Sequence, residues 1–203
     1  MEIKSFRQSI NEEAVKTLSI FDIDETLFRT KAKVNVMKDG KIIKKLTNQE
    51  FNHYKLKDGE SYDFGQFKDA KIFAKTSAPI GHMIGKLKST LRKADKNGSR
   101  VIIVTARGDF DDRDTFLNTF RAHEIDIDKI YVERAGNFEF IGSSAKKKKF
   151  IFKKYLTRGG WKRVRFFDDH MDNLTTFKAL GRKMPDVDFE AWHVKPNGIP
   201  HRV

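Results

Sequence analysis

The chain has 203 residues, 38% of them hydrophobic, enough to bury one good core with a small appended subdomain. Its 41 Lys and Arg against 28 Asp and Glu leave a formal charge of +13, and 18 Phe argue against disorder, which needs few aromatics. There is no Cys, which excludes disulfides, thiolate chemistry and Cys-ligated zinc, and no uninterrupted apolar run approaches the ~18 residues of a membrane-spanning helix.

The first residues, Met1-Glu2-Ile3-Lys4-Ser5-Phe6, lack the apolar stretch and small-residue cleavage site of a secretory leader, so a cytoplasmic protein is expected. Thr17-Leu18-Ser19-Ile20-Phe21 is a short apolar run that meets Asp22, the pattern of a buried strand ending in polar residues. The alternation of strand and helix then pauses from Arg29 to about Pro79. Within that stretch Val34–Met37 and Lys41–Ile43 flank Asp39-Gly40, a strong hairpin-turn signal. Aromatics follow at Phe51, Tyr54, Tyr62, Phe64, Phe67 and Phe73. A structureless loop of this length is improbable, so residues 29–79 read as a cap inserted after the first strand, with 1–28 and 80–203 forming the core.

Ile84, Leu87, Leu91 and Ala94 share one helical face, with Asn97-Gly98 as the stop. Arg100–Val104 repeats the buried-strand pattern and meets Thr105. Phe116, Leu117 and Phe120 mark the next helix, and Lys129–Val132 the strand after it. Ser144 is a plausible N-cap for a helix from Ala145 to Thr157, ended by Gly159-Gly160. Arg163–Phe167 is a strand meeting Asp168, Leu174 to Leu180 a short helix closed by Gly181, and Phe189–Val194 a fifth candidate strand. The expected fold is α/β, a parallel sheet with helices on both faces, and its ligands belong beyond the carboxyl ends of the strands.

Chemistry concentrates at those ends. In Phe21-Asp22-Ile23-Asp24-Glu25-Thr26 two carboxylates lie two residues apart, and both can face one site if the chain coils there. One carboxylate can attack phosphorus, and a second can protonate the leaving group and then activate water. Two anions repel a phosphate, so a cation is required, and Mg²⁺ suits oxygen ligands.

Asp22-Ile23-Asp24-Glu25-Thr26 resembles the first motif of the haloacid-dehalogenase-like (HAD) phosphatase superfamily, Asp-x-Asp-x-Thr. Val101–Val104 with Thr105-Ala106-Arg107-Gly108 resembles the second motif. The helix start Ser144–Phe150 resembles the segment bearing the third-motif Lys, and Phe166-Phe167-Asp168-Asp169 the acidic fourth motif. The resemblance implies a HAD-like Rossmannoid fold and Mg²⁺-dependent hydrolysis of phosphomonoesters. In it Asp22 is the nucleophile, which becomes an aspartyl phosphate, and Asp24 is the acid and base, with its backbone carbonyl on the metal. Thr105 and the Lys hold phosphate oxygens, and a motif-four Asp completes the metal shell. An Asp at the second position favours phosphate-ester chemistry over dehalogenation.

Four consecutive Lys compete for the third-motif role. If Ile151, Phe152 and Tyr155 form the buried stripe, Lys148 shares their face, with Lys147 as runner-up. Asp169 aligns with the metal-ligating residue of the family's Gly-Asp variants, and Asp168 would then orient the Lys or a bound water; both stay candidates. No two His lie at metal-ligand spacing, and no P-loop occurs, so neither zinc nor an ATP-dependent kinase domain is expected.

Ten Lys or Arg and no acid lie between Lys146 and Arg165, and nine against four acids between Arg29 and Glu60. A basic mouth with aromatic side chains suits a nucleotide or a nucleic acid end. Arg107, with Ala106, is the candidate contact to phosphate or base. Asp109, Asp111, Asp112 and Asp114 oppose a simple electrostatic funnel. A phosphotransferase would use the same residues, and a weakly catalytic nucleic-acid-binding protein on the same scaffold is the competing class.

Overall fold

The computed structural model describes residues 15–95, 98–139 and 142–203. Met1–Phe6 and Asn97, on which the expectations for a leader and for one helix stop rest, lie outside the described residues. The elements run β1 (Thr17–Phe21), β2 (Phe28–Arg29), β3 (Val34–Lys38), β4 (Lys41–Leu46), α1 (Asn48–His53), β5 (Glu60–Asp63), α2 (Gly65–Lys68), α3 (Ala70–Thr76), β6 (Ala78–Pro79) and α4 (Gly81–Ala94). They continue as β7 (Arg100–Thr105), α5 (Arg113–Arg121), β8 (Tyr131–Arg134), α6 (Ser144–Gly159), β9 (Arg163–Asp168), α7 (Met171–Gly181), β10 (Asp188–Val194) and β11 (Pro200–Arg202).

The main sheet has the order β11-β10-β9-β1-β7-β8, and every pairing in it is parallel except β10 with β11. Strict alternation along the strands sends side chains to two separate cores. Leu18, Ile20, Ile102, Val104, Val164 and Phe166 face α6 and α7, whereas Phe21, Val101, Ile103 and Phe167 face α4 and α5. The expected α/β sheet with helices on both faces is therefore present. The chain winds from β1 outward to β8, then returns to β9 on the other side of β1. The ends of β1, β7 and β9 thus meet where the winding reverses, the place where open α/β sheets leave a crevice.

The inserted stretch begins and ends at a short antiparallel ribbon of β2 and β6. Its β4-β3-β5 sheet carries a small core of Val34, Val36 and Leu46, packed against by Phe51, Tyr54, Tyr62 and Phe67. The β3–β4 connection is the expected two-residue turn, with Asp39 at φ 49° and Gly40 at φ 72°. Phe73 behaves differently from the other aromatics of the stretch. Its ring lies 5.5 Å from both Phe28 and Phe116 and 5.4 Å from Phe110, so α3 belongs to the main core.

Some boundaries differ from the sequence expectations. The cap of α6 is Ser143, whose side chain accepts from the Lys146 N–H, and not Ser144. The helix ends at Gly160 in the left-handed region, φ 57°. The strand expected from Lys129 starts at Tyr131, because Ile127–Lys129 closes a 3-10 turn first. Among the described residues no helix is long and apolar enough to cross a membrane.

Phe73→Ala should cost about 3–5 kcal/mol of global stability in urea unfolding, the usual penalty for emptying a buried Phe site. A loss confined to a separate early transition, with the main transition unmoved, would show that α3 is not part of the shared core.

Candidate active site

Immediately after β1 the chain coils tightly. The N–H groups of Leu27 and Phe28 both reach the Ile23 carbonyl at 2.9 Å, and Glu25 takes a positive φ of 55°. Ile23, Leu27 and Phe28 are fully buried and anchor the coil to the core. The coil leaves Asp22 and Asp24 lining a single cavity.

Asp22 Oδ1 lies 2.8 Å from Lys148 Nζ, which also donates to Asp168 Oδ2 at 2.8 Å. Lys148 is only 1% exposed. It is the Lys of the run that reaches Asp22, as the Ile151, Phe152 and Tyr155 stripe requires, because those residues pack α6 onto the sheet. Lys147 turns to the Phe138 carbonyl at 2.7 Å. Asp168 is wrapped on all sides. Its Oδ1 accepts from the His170 N–H, and the Asn173 side-chain amide donates to both of its oxygens at 2.9 Å. Asp169, half-buried, borders the cavity. Oxygens of Asp22, Asp168 and Asp169 lie within 4.8 Å of one another.

Asp24 stands apart from this group. Arg107 clamps it, donating from Nε to Oδ2 at 2.9 Å and from Nη2 to Oδ1 at 2.7 Å. The guanidinium is buried and also donates to the Phe67 carbonyl and to Thr30 Oγ1. It was expected at phosphate or base; in the structure its side chain is committed to Asp24 and to the inserted stretch. Ala106 is exposed on the cavity wall. Thr105 is buried, and its oxygen accepts the Arg107 N–H at 3.2 Å.

Two residues given no individual role at the site from the sequence shape this region. A Cβ on Gly136 would come within 2.5 Å of the Ala106 oxygen and the Gly108 nitrogen, so only glycine lets the loop after β8 brace the loop after β7. A glycine just past a strand end was the available signal. Phe67, from the inserted stretch, supplies both a carbonyl to Arg107 and a ring 4.6 Å from its guanidinium carbon.

The cavity holds about 740 Å³. Asp22, Asp169 and Lys148 line it together with Phe51, Tyr54, Tyr62, Phe64 and Phe67 of the inserted stretch. A neighbouring groove of about 1000 Å³ shares Tyr54, Asp169 and His170 with it and carries Arg29, Lys44, His53, His193 and Lys195.

Burial pushes the Asp22 carboxyl up to about 7; Lys148 pulls it down, and Asp168 and Asp24 push it further up. Burial, with Asp168 and then Asp22 beside it, pushes Asp169 up to about 9. Burial works against the Lys148 ammonium, but Asp168 and Asp22 outweigh it and hold its pKa above the ordinary lysine value. Fully ionised, three carboxylates against one ammonium leave two negative charges in excess. Asp22 Oδ1 is buried and, apart from the off-axis approach of Lys148, has no hydrogen-bond partner. An all-oxygen donor set, an orphaned carboxylate oxygen and this charge excess fit a hard divalent cation.

No family model matches the sequence, and no curated protein matches it. Among solved structures, the HAD domain of the effector protein Lem4 from Legionella pneumophila is similar, with a TM-score of 0.54 and 13% identity over 91% of this chain and 89% of that one. The fold is thus HAD-like, and its cluster of buried Asp residues stands at the end of the sheet.

With unfolded values near 3.8, carboxyls raised to about 7 and 9 make the folded protein hold extra protons across the interval between. Their contribution to stability is complete below about pH 4 and is lost as the pH rises through 7 and 9. Thermal unfolding in EDTA should therefore show this loss between pH 5 and 9, with a shallower slope in Asp169→Asn. Mg²⁺ should restore stability, by about 2.7 kcal/mol at a hundredfold excess over its Kd, and more so at high pH. A slope unchanged by Asp169→Asn, or no response to the ion, would contradict the charge analysis.

Proposed function

We propose that the protein is a divalent-metal-dependent phosphatase that hydrolyses phosphomonoesters by way of an aspartyl phosphate, with nucleotides or nucleic acid ends as substrates. The observation that carries this reading is the buried Lys148 bridging Asp22 and Asp168, with Asp169 beside them. A set of buried carboxylates around one ammonium costs stability, and binding alone has no need of it.

In this reading Asp22, Asp169 and the backbone carbonyl of Asp24 would hold Mg²⁺, and Asp168 acts mainly by fixing Lys148. When bound, the cation would supply positive charge for the phosphoryl oxygens. A free carboxylate oxygen of Asp22 attacks phosphorus in line with the ester oxygen. Lys148 holds Asp22 in place and donates to a phosphoryl oxygen. The Thr105 hydroxyl, already accepting from Arg107 N, keeps its own hydrogen for another phosphoryl oxygen. Asp24 delivers a proton to the departing oxygen and then takes one from the water that hydrolyses the aspartyl phosphate.

The aromatic lining of the cavity supports the substrate class. Phe51, Tyr54, Tyr62, Phe64 and Phe67 offer rings on which a base can stack, worth about 1–3 kcal/mol per base. Lys68 and Lys147 on the same cavity and Lys44 and Lys195 in the adjoining groove, beside Glu25 and Glu50, add positive charge to the lining.

The test is phosphate release from mononucleotides, 3′- and 5′-phosphorylated oligonucleotides and sugar phosphates with Mg²⁺. Base-bearing substrates should be preferred, and EDTA or Asp22→Asn should abolish release from all of them. Wild-type turnover by Asp22→Asn would show that the nucleophile is misassigned. Salt-sensitive oligonucleotide binding with no release under any divalent metal would instead identify a binding protein.

A further inference from the structure

We propose that Arg107 is the positioning residue that aims the Asp24 carboxyl at the leaving-group oxygen of the substrate; this rests on the phosphatase reading above. Four observations converge. First, the contact is a fork: two N–H groups of one guanidinium meet both oxygens of Asp24, at 2.9 and 2.7 Å. A bidentate pair fixes orientation as well as distance, which a lysine cannot do. Second, Arg107 is only 3% exposed, and its guanidinium is anchored independently of Asp24. Nη1 donates to the Phe67 carbonyl at 2.9 Å, Nη2 reaches Thr30 Oγ1 at 3.2 Å, and the rings of Phe67, Phe73 and Phe110 surround it at 4.6–5.5 Å.

Third, the backbone under Arg107 is itself braced. Gly136 N–H donates to the Arg107 carbonyl at 3.1 Å, in the close approach that only glycine permits. Fourth, Asp24 sits on the tight coil only two residues from Asp22 and lines the same cavity, yet it takes no part in the Asp22, Asp168 and Asp169 group. Without a countercharge its carboxylate would be free to turn toward Lys148 or a bound cation.

Each Asp24 oxygen accepts one N–H from Arg107 and keeps a second lone-pair site, where the proton for the leaving group can sit. From that site the proton passes to the departing ester oxygen, whose bond to phosphorus breaks as the Asp22 oxygen bonds to it. The fork keeps the carboxyl aimed throughout. Arg107 touches neither the phosphoryl group nor the leaving group in this account.

The prediction concerns leaving groups. A good leaving group such as p-nitrophenolate departs without a proton, whereas an alkoxide needs one. Arg107→Lys, which keeps the positive charge but lacks the fork, should lower kcat on an alkyl phosphate by about 100-fold or more, within the usual span of general-acid catalysis. On p-nitrophenyl phosphate the loss should stay below about tenfold. In an Asp24→Asn background, Arg107→Lys should cause no further loss on the alkyl ester, since the two act as one unit. Arg107→Met serves as a second variant, with folding checked by thermal unfolding.

Equal loss on both esters, additive losses in the double variant, or no loss in either single variant would overturn the assignment. Failure of the unaltered protein to release phosphate with any divalent metal would instead defeat the phosphatase reading, and this one with it. The two failures are told apart by the unaltered protein alone.

Discussion

Lys148 sits where three carboxylates would otherwise repel one another. Asp22 follows β1, Asp168 ends β9, and Asp169 follows it, so neighbouring parallel strands deliver their carboxylates to one point beyond the sheet. Within a protein interior such charges interact far more strongly than in water, and bringing them together without a countercharge is prohibitive. The ammonium of Lys148, 2.8 Å from both Asp22 and Asp168, makes the arrangement possible. It can do so because α6 packs through Ile151, Phe152 and Tyr155 against the face that carries Leu18, Ile20 and Phe166. Packing places the charge, and the charge makes the strand ends tolerable to one another.

Arg107 repeats this logic one step away. It compensates Asp24 and joins it to the inserted stretch through Phe67 and Thr30. The two cations divide the four carboxylates into a cluster suited to a metal ion and a single carboxyl held by a guanidinium. The inserted stretch also brings aromatic side chains to the cavity, so the cavity lining and the Asp24–Arg107 pair both depend on how residues 30–76 pack.

The small sheet of β3, β4 and β5 has few buried residues of its own, and α3 shares the main core through Phe73. The insertion is therefore anchored at both ends, by the β2–β6 ribbon and by α3, with the aromatic wall held between.

Much of this was legible in the sequence, because local patterns encode it. Apolar runs meeting acids marked the parallel strands, Asp39-Gly40 marked the hairpin, and the spacing of Ile151, Phe152 and Tyr155 singled out Lys148 from four consecutive lysines. Both the order and the kind of the acidic residues pointed to a HAD-like fold, which the structure has. What stayed hidden concerns partners across space. A guanidinium carries the same charge wherever it points, so the sequence left Arg107 facing a substrate, and only the packing of Phe67, Phe73 and Phe110 turned it onto Asp24. Phe73 looked like its aromatic neighbours until the core claimed it. Whether Asp168 or Asp169 is wrapped by donors depended on the Asn173 amide and the His170 N–H at the start of α7, contacts that no spacing rule supplies. Periodicity determines which face of an element is buried; which polar group meets which is settled only when the elements pack.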